Sequence, residues 1–181
     1  MMHKKLQLQG SMVAIVTPFS DGQVDYDALG QAAVKLAVGA AAAAGLKAVC
    51  EENGIKYGAV IFGIGSIRQL TYQVLGPKPE SKLGAAYTEP QVLPGPIEVV
   101  SMHGIIFQSD DGQTLLHLHG TFSDQEGKVF GGHIVAGGNP VLATLDAYIV
   151  ETVGAETIRQ MDEDIGMPVG IPQGHFAKVK Q

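Results

Sequence analysis

Cysteine, tryptophan and arginine are scarce in this sequence of 181 residues. Cys50 is the one cysteine, tryptophan is absent, and the only arginines are Arg68 and Arg159. A single cysteine excludes a disulfide framework within the chain and fits a reducing compartment. The 12 basic and 18 acidic residues give a net charge of -6. This charge argues against a surface that neutralises many phosphates, because such surfaces concentrate lysine and arginine.

Long apolar runs are missing as well. The longest uncharged apolar stretch covers residues 36–46 and is bounded by Lys35 and Lys47, whereas a bilayer requires about 20 such residues. The amino-terminal sequence MMHKKLQLQG is not followed by the apolar core and cleavage site of a secretory signal. We therefore expect a soluble, cytoplasmic protein without a membrane partner.

Before residue 55 the sequence predicts one strand followed by helix. The β-rich run Met12–Phe19 predicts the strand. The alanine-rich stretch from Asp27 to Asn53 predicts one imperfect helix or two shorter ones, with Gly54 just past the end. Cys50 follows helical spacing within this stretch, which favours a place in the core over a reactive thiol.

After residue 55 the pattern is typical of β-structure. The predicted strands are Tyr57–Gly63, Leu70–Leu75, Ile97–Gln108, Thr114–Ser123, Lys128–Ala136 and Val141–Glu151. Residues 76–96 are predicted to form a loop, and residues 156–166 a short helix or a loop. The tail, which carries His175, Lys178 and Lys180, is expected to be mobile.

The sequence Gly63-Ile64-Gly65 partly matches a dinucleotide-binding fingerprint. That fingerprint requires a third glycine and then a helix, so that a pyrophosphate meets the backbone N–H groups of a helix start. Arg68 stands at the third position, and LTYQV after it predicts a strand. The motif therefore indicates a tight connection between strands rather than a nucleotide site.

Histidine is concentrated in one part of the chain. Four of the six histidines lie between residues 103 and 133, namely His103, His117, His119 and His133. His117 and His119 alternate in the sequence LLHLHG, so on a strand both lie on one face. The leucines between them then lie on the opposite face.

Two predicted hairpin loops set the register of the strands around these histidines. Residues 110–112 and 125–127 each have the form of a three-residue loop that ends in a left-handed glycine. The first loop places His103 opposite His119, and the second places His133 opposite His119. Three histidines therefore form a row across three adjacent strands, with His117 one step away on the same face. A register slip of one residue would move His103 or His133 to the other face.

The row of histidines predicts a metal site. Directly opposed residues have Cβ atoms about 5 Å apart, close enough for imidazoles to meet at an ion about 2.0–2.1 Å from each nitrogen. We predict a divalent metal, zinc or a similar ion, and the candidate ligands are His103, His117, His119 and His133. The alternative is a hydrogen-bonded histidine cluster without metal.

Asp124 and Glu126 are the candidate catalytic residues. If the histidines activate a metal-bound water, either carboxylate is a candidate to move a proton, as in a hydrolase or lyase. Both residues lie at a predicted turn, where acidic side chains are commonly solvated or cap the backbone. Metal binding and metal-dependent catalysis therefore both remain open.

Residues 97–151 resemble the PPC domain (plants and prokaryotes conserved). The family pattern combines an E-[IV]-[LV]-S strand, an HLH strand, a D-x-x-G turn, a GGH sequence and a T-x-[ED] strand, which stand here as IEVVS, HLH, DQEG, GGH and TLD. GIKYGAVIFGIGSIRQLTY is similar to an earlier passage of the family, so the resemblance covers roughly residues 45–152. It implies an α/β (α+β) fold, with a mainly antiparallel sheet and one or two helices, assembled as a homotrimer.

The resemblance divides the chain into a leader (residues 1–44, with a strand and an alanine-rich helix), a PPC-like domain (45–152) and a carboxy-terminal extension (153–181). Family histidines correspond to His117, His119 and His133, with His103 additional here, and some prokaryotic relatives look metal-loaded at such positions. Standalone bacterial members are often labelled as DNA-binding proteins. This chain lacks the RGRP-type hook of plant members, so we expect it to bind a metal or a small ligand, with regulation as a candidate role, rather than to bind DNA directly.

Residues 10–29 resemble the opening of the dihydrodipicolinate synthase family, whose members are TIM-barrel aldolases. The family's glycine- and threonine-rich substrate loop is missing, and Lys56 is the nearest candidate for a Schiff-base lysine. A (β/α)₈ barrel typically requires about 250 residues. We interpret the segment as a leader that adds a strand and a helix, and an aldolase is the last alternative.

Overall fold

The computed structural model describes residues 19–20, 23–24, 31–152 and 154–173. The strands in this part of the chain are β1 (Phe19–Ser20), β2 (Gln23–Val24), β3 (Gln31–Leu36), β4 (Gly58–Gln73), β5 (Leu75–Pro77), β6 (Ala85–Tyr87), β7 (Gln91–Gln108), β8 (Thr114–Asp124), β9 (Val129–Ile134), β10 (Val141–Glu151), β11 (Glu156–Asp162) and β12 (Met167–Gln173). The helix α1 covers Ala42–Glu52. Most of the predicted strand Met12–Phe19 and the tail from residue 174 lie outside the described residues.

Eight strands form one large sheet in the order β12-β11-β7-β8-β9-β4-β10-β3. Neighbouring strands are antiparallel, except that β11 pairs with β7 in parallel. Because β4 also pairs with β7, the strands β7, β8, β9 and β4 close into a ring. The predicted α+β fold with a mainly antiparallel sheet is confirmed, with one helix among the described residues. The large sheet is not the barrel of parallel strands that the aldolase alternative requires. Lys56, the candidate Schiff-base lysine of that alternative, is exposed.

The alanine-rich segment is only partly helical, which corrects the prediction of helix from Asp27. Residues 31–36 form β3 and pair with β10, because Val34 and Leu36 alternate as buried residues. Strand pairing there outweighs the helix preference of alanine, which is less than about 1 kcal/mol per residue. Helix α1 begins only at Ala42. Because β3 belongs to the large sheet, this sheet includes residues before the boundary predicted at residue 45.

No helix in the described part of the chain is long and apolar enough to cross a membrane.

The end of α1 agrees with the prediction. Gly54 has a φ of 71°, and its N–H donates to the carbonyl of Glu51 while that of Ile55 donates to the carbonyl of Cys50. This is the bond pattern of a Schellman cap. Cys50 is fully buried, and burial, followed by the charge of Glu51, raises the pKa of its thiol to about 12. The prediction of a core cysteine is confirmed.

Three regions predicted to be a loop, a tight connection or a short helix contain strands instead. Strand β4 continues without a break through Gly63-Ile64-Gly65, so no connection lies there. Residues 76–96, predicted as a loop, contain the β5–β6 hairpin and the start of β7. Residues 156–166, predicted as a short helix or loop, contain β11, which pairs with β12. In each case pairing with a distant or following strand supplies order that the local sequence does not indicate.

A buried asparagine holds the loop between β9 and β10. Asn139 is 2% exposed. Its Oδ1 accepts the backbone N–H of Thr71 at 2.6 Å, and its Nδ2 donates to the carbonyls of Thr71 at 3.1 Å and Val135 at 2.8 Å. The amide thus bonds both backbone groups of Thr71, next to the end of β4 that contacts β9.

Candidate metal centre

The hairpin loops produce the predicted register. The N–H of Ser109 donates to the carbonyl of Gln113, and that of Asp124 to the carbonyl of Lys128. The loop glycines have φ angles of 82° at position 112 and 78° at position 127, in the left-handed region that favours glycine. Strand pairing then places His103 opposite His119 and His119 opposite His133. The predicted row of three histidines is confirmed.

Three of the four candidate histidines converge. His117, His119 and His133 each offer a ring nitrogen, and these atoms all lie within 4.8 Å of one another. The Nε2 atoms of His117 and His119 are 2.9 Å apart and share a hydrogen bond, as the alternative of a hydrogen-bonded histidine cluster requires. The ring centroid of His133 is 4.8 Å from that of His117 and 5.3 Å from that of His119. We call these three residues the histidine centre.

His103 lies in the row but outside the histidine centre. Its side chain is exposed, whereas the three converging histidines are half-buried. It remains near enough to affect His119, since burial first and the charge of His103 second lower the pKa of His119. His103 therefore shares the face of the centre without joining the group of convergent nitrogens.

The local environment favours neutral imidazoles. Burial lowers the pKa of His117, and the charges of His119 and Arg159 lower it further. Burial, followed by the charges of His117 and His119, lowers the pKa of His133 to about 4. Neutral imidazole is the form that binds metal ions, so the three side chains are ready ligands at neutral pH.

One atom of the histidine centre is buried without a partner. The Nδ1 of His133 is inaccessible to solvent and makes no hydrogen bond with a described residue. A buried polar atom of this kind calls for an explanation, such as an ion. Together with the convergent nitrogens, it fits a metal ion held by His117, His119 and His133.

The two candidate catalytic carboxylates lie away from the histidine centre. Asp124 is five positions beyond His119 on β8, which corresponds to about 16 Å and to the opposite face of the strand. Its Oδ1 accepts the N–H groups of Glu126 and Lys128 at 2.9 Å each. Glu126 is exposed at the loop. The structure therefore brings neither carboxylate to the histidines, and Asp124 caps a turn.

Two residues that affect the centre have no signal in the sequence pattern. The ring of Tyr87 lies 4.8 Å from that of His133, at an angle of 36°. Arg159 is exposed, yet its charge contributes to the lowered pKa of His117. Tyr87 belongs to the segment predicted as a loop and Arg159 to the segment predicted as a short helix or loop. Their positions depend on the β5–β6 and β11–β12 hairpins, which the sequence pattern does not indicate.

The lowered pKa of His133 predicts how stability depends on pH. Between about pH 6.5 and pH 4 the unfolded chain binds a proton at this position that the folded, metal-free protein excludes, so the free energy of unfolding should decrease as the pH falls through this range. Above about pH 6.5 both states are neutral at His133 and its contribution to the slope vanishes. Urea unfolding of the metal-free protein across this range measures the effect.

The matched variant for this measurement is His133→Gln, which cannot titrate at that position. We expect its stability to fall less steeply with decreasing pH than that of the wild type. Equal slopes in the two proteins would contradict the assignment of the effect to His133.

Comparison with known proteins provides a family and a fold. The family model described as the Plants and Prokaryotes Conserved (PCC) domain matches residues 25–153. No curated protein matches the sequence of this chain. The family match starts before residue 45 and includes β3, α1 and the whole histidine centre.

Several solved structures share the fold. A metal-containing protein from Archaeoglobus fulgidus is 21% identical, with a TM-score of 0.66 over 86% of this chain and 98% of that chain. A plant- and prokaryote-conserved (PPC) protein from Pyrococcus horikoshii is 21% identical, with a TM-score of 0.61 over 78% and 92% of the two chains. A candidate DNA-binding protein from Bacteroides thetaiotaomicron is 24% identical, with a TM-score of 0.65 over 78% and 92%. At these identities the likeness establishes the fold alone.

Proposed function

This chain belongs to the Plants and Prokaryotes Conserved (PCC) domain family, and from that premise we propose that it is a cytoplasmic metal-binding protein. In this proposal His117, His119 and His133 hold one divalent ion per chain. The observation that carries the proposal is the convergence of three ring nitrogens within 4.8 Å of one another. A bound ion with three protein ligands would offer a further coordination position to a small ligand, which suits a regulatory role.

Zinc is the ion that we propose. Three imidazole nitrogens suit zinc better than magnesium or calcium, which prefer oxygen ligands. The lowered pKa values of all three histidines favour the neutral form that zinc requires. One relative with the same fold is described as metal-containing, which agrees with the proposal.

We propose binding rather than catalysis or DNA recognition as the function. The two carboxylates predicted as catalytic residues of a hydrolase or lyase, Asp124 and Glu126, lie away from the histidines. Direct DNA binding would need many phosphate contacts, which the net charge of -6 opposes. The DNA-binding description of a relative therefore is not extended to this chain.

We further propose that the protein assembles as a homotrimer. Several large apolar side chains are exposed on β4, β7 and β10, namely Ile61, Phe62, Ile64, Val100 and Tyr148. Phe62 and Tyr148 are Cα partners on neighbouring strands, and their rings lie 5.7 Å apart. Exposed apolar side chains that cluster on a sheet favour burial against another subunit.

Elemental analysis combined with light scattering tests both proposals. Protein without an affinity tag, grown with several divalent metals in the medium, is expected to contain about one zinc ion per chain and to have the mass of three chains. Metal-free protein that also fails to bind added zinc would refute the metal site, and a stable monomer would refute the trimer. Retention on DNA that weakens steeply with salt would instead favour a nucleic-acid role.

A further inference from the structure

A tyrosine from a separate hairpin packs against the histidine centre. The ring of Tyr87 lies 4.8 Å from the ring of His133, tilted by 36°. We propose that Tyr87 is a positioning residue, whose ring holds the imidazole of His133 in the orientation from which it binds the metal ion. The inference rests on the proposed metal-binding function and names a residue outside the set of ligands.

The base of the β5–β6 hairpin is attached to the end of β4, which pairs with His133 of β9. Gln73, the last residue of β4, is the Cα partner of His133. The Nε2 of Gln73 donates to the carbonyl of Thr88 at 2.7 Å, and the N–H of Thr88 donates to the carbonyl of Val74 at 2.9 Å. Thr88 directly follows Tyr87, so these bonds hold Tyr87 beside His133.

The far end of the hairpin is also attached. The Nζ of Lys82 donates to the carbonyl of Glu163, in the turn between β11 and β12. Within the loop, the N–H of Lys78 donates to the carbonyl of Gly84 at 2.8 Å. These bonds, together with those at the base, limit the movement of the hairpin and of the ring that it carries.

Restraint of a ligand side chain affects metal affinity, because binding costs the conformational entropy that the side chain still has in the metal-free protein. An imidazole that already has the right orientation loses less rotational freedom when it binds an ion. Outer-shell residues that hydrogen-bond to metal ligands typically contribute 10-fold to 100-fold in affinity, and for a ring that orients a ligand by packing we expect the lower end of this range. The hydroxyl of Tyr87 makes no hydrogen bond with a described residue, so the ring is the part of the side chain that acts.

The test compares Tyr87→Ala with Tyr87→Phe. Zinc affinity, measured by competition with a chelator, should weaken about 10-fold in Tyr87→Ala and change by less than about twofold in Tyr87→Phe, which keeps the ring. The visible absorption spectrum of bound Co²⁺ should change in Tyr87→Ala and be restored in Tyr87→Phe. Tyr57→Ala, which removes a half-buried tyrosine at the start of β4, is the control for loss of an aromatic ring.

The outcomes separate the inference from the proposed function. If the wild type binds zinc and Tyr87→Ala binds it equally well with the same Co²⁺ spectrum, the inference is overturned and the function stands. If the wild type binds neither ion, both are overturned. In metal-free protein, the ring-current shift of the His133 ring protons should be lost in Tyr87→Ala and kept in Tyr87→Phe, which shows whether the contact exists without metal. Tyr87→Leu replaces Tyr87→Ala if the alanine variant does not fold.

Discussion

Replacing His119 with alanine is expected to abolish metal binding. His119 lies next to both other ligands of the histidine centre, because it is the Cα partner of His133 and its Nε2 lies 2.9 Å from that of His117. The variant retains two imidazoles, too few for a site with three protein ligands. We expect the dissociation constant for zinc to rise by at least about 100-fold, since even residues that only orient ligands contribute 10-fold to 100-fold.

His103→Ala is the matched control for this loss. His103 also faces His119 across the sheet, but its side chain is exposed and lies outside the convergent group. Zinc titration of both variants, without affinity tags, should show that His103→Ala binds nearly as tightly as the wild type. Equal and large losses in the two variants would place the ion between His103 and His119 and contradict the three-ligand centre.

Replacing Asn139 with alanine is expected to cause a large loss of stability. The substitution removes three hydrogen bonds and leaves the backbone N–H of Thr71, which is buried, without its partner. A buried polar group without a partner costs about 1–3 kcal/mol. We therefore expect a decrease of about 3 kcal/mol in the free energy of unfolding, measured by urea denaturation.

Asn53→Ala is the control for the loss of an asparagine amide. Asn53 ends α1, and its Nδ2 donates a single bond to the carbonyl of Val49 at 2.7 Å. This carbonyl also accepts the N–H of Asn53 itself, so it keeps a partner in the variant. We expect a loss of about 1 kcal/mol or less. Similar losses for the two variants would show that the bonds of Asn139 have no special importance.

The row of histidines could be predicted because local chemistry determines it. Each loop has a length and a terminal glycine that select one type of hairpin. The type of hairpin then fixes the register of every residue on the two strands. Counting residues outward from the two loops is therefore enough to place His103, His119 and His133 opposite one another, and strand pairing confirms these positions.

The composition of the centre could not be predicted in the same way. Register places a residue on a face, but it does not determine which imidazoles turn toward one another. His103 shares the row and yet stays exposed, whereas His117, one step along β8, joins the convergent group. Tyr87 enters through a hairpin whose attachment depends on Gln73 and Thr88, two residues with no pattern that indicates this role.

Non-local pairing also explains the errors in secondary structure. Residues 31–36 form a strand because β10, more than a hundred residues later, offers a partner. Alanine favours helix by less than about 1 kcal/mol per residue over other ordinary residues, so burial of Val34 and Leu36 in a sheet outweighs it. Sequence windows of a few residues contain no information about such a partner.

The closed ring of β7, β8, β9 and β4 has a consequence for the order of events during folding. Strands β7, β8 and β9 are joined by hairpins, and they pair early because they are adjacent in sequence. The pairing of Gln73 with His133 joins residues about 60 positions apart, and closing so long a loop carries an entropic cost that must precede its contacts. The pairing of His133 with Gln73, and with it the packing of Tyr87, therefore forms late. His117, His119 and His133, by contrast, all lie within the β8–β9 hairpin, so an ion is expected to find its three ligands together before the ring closes.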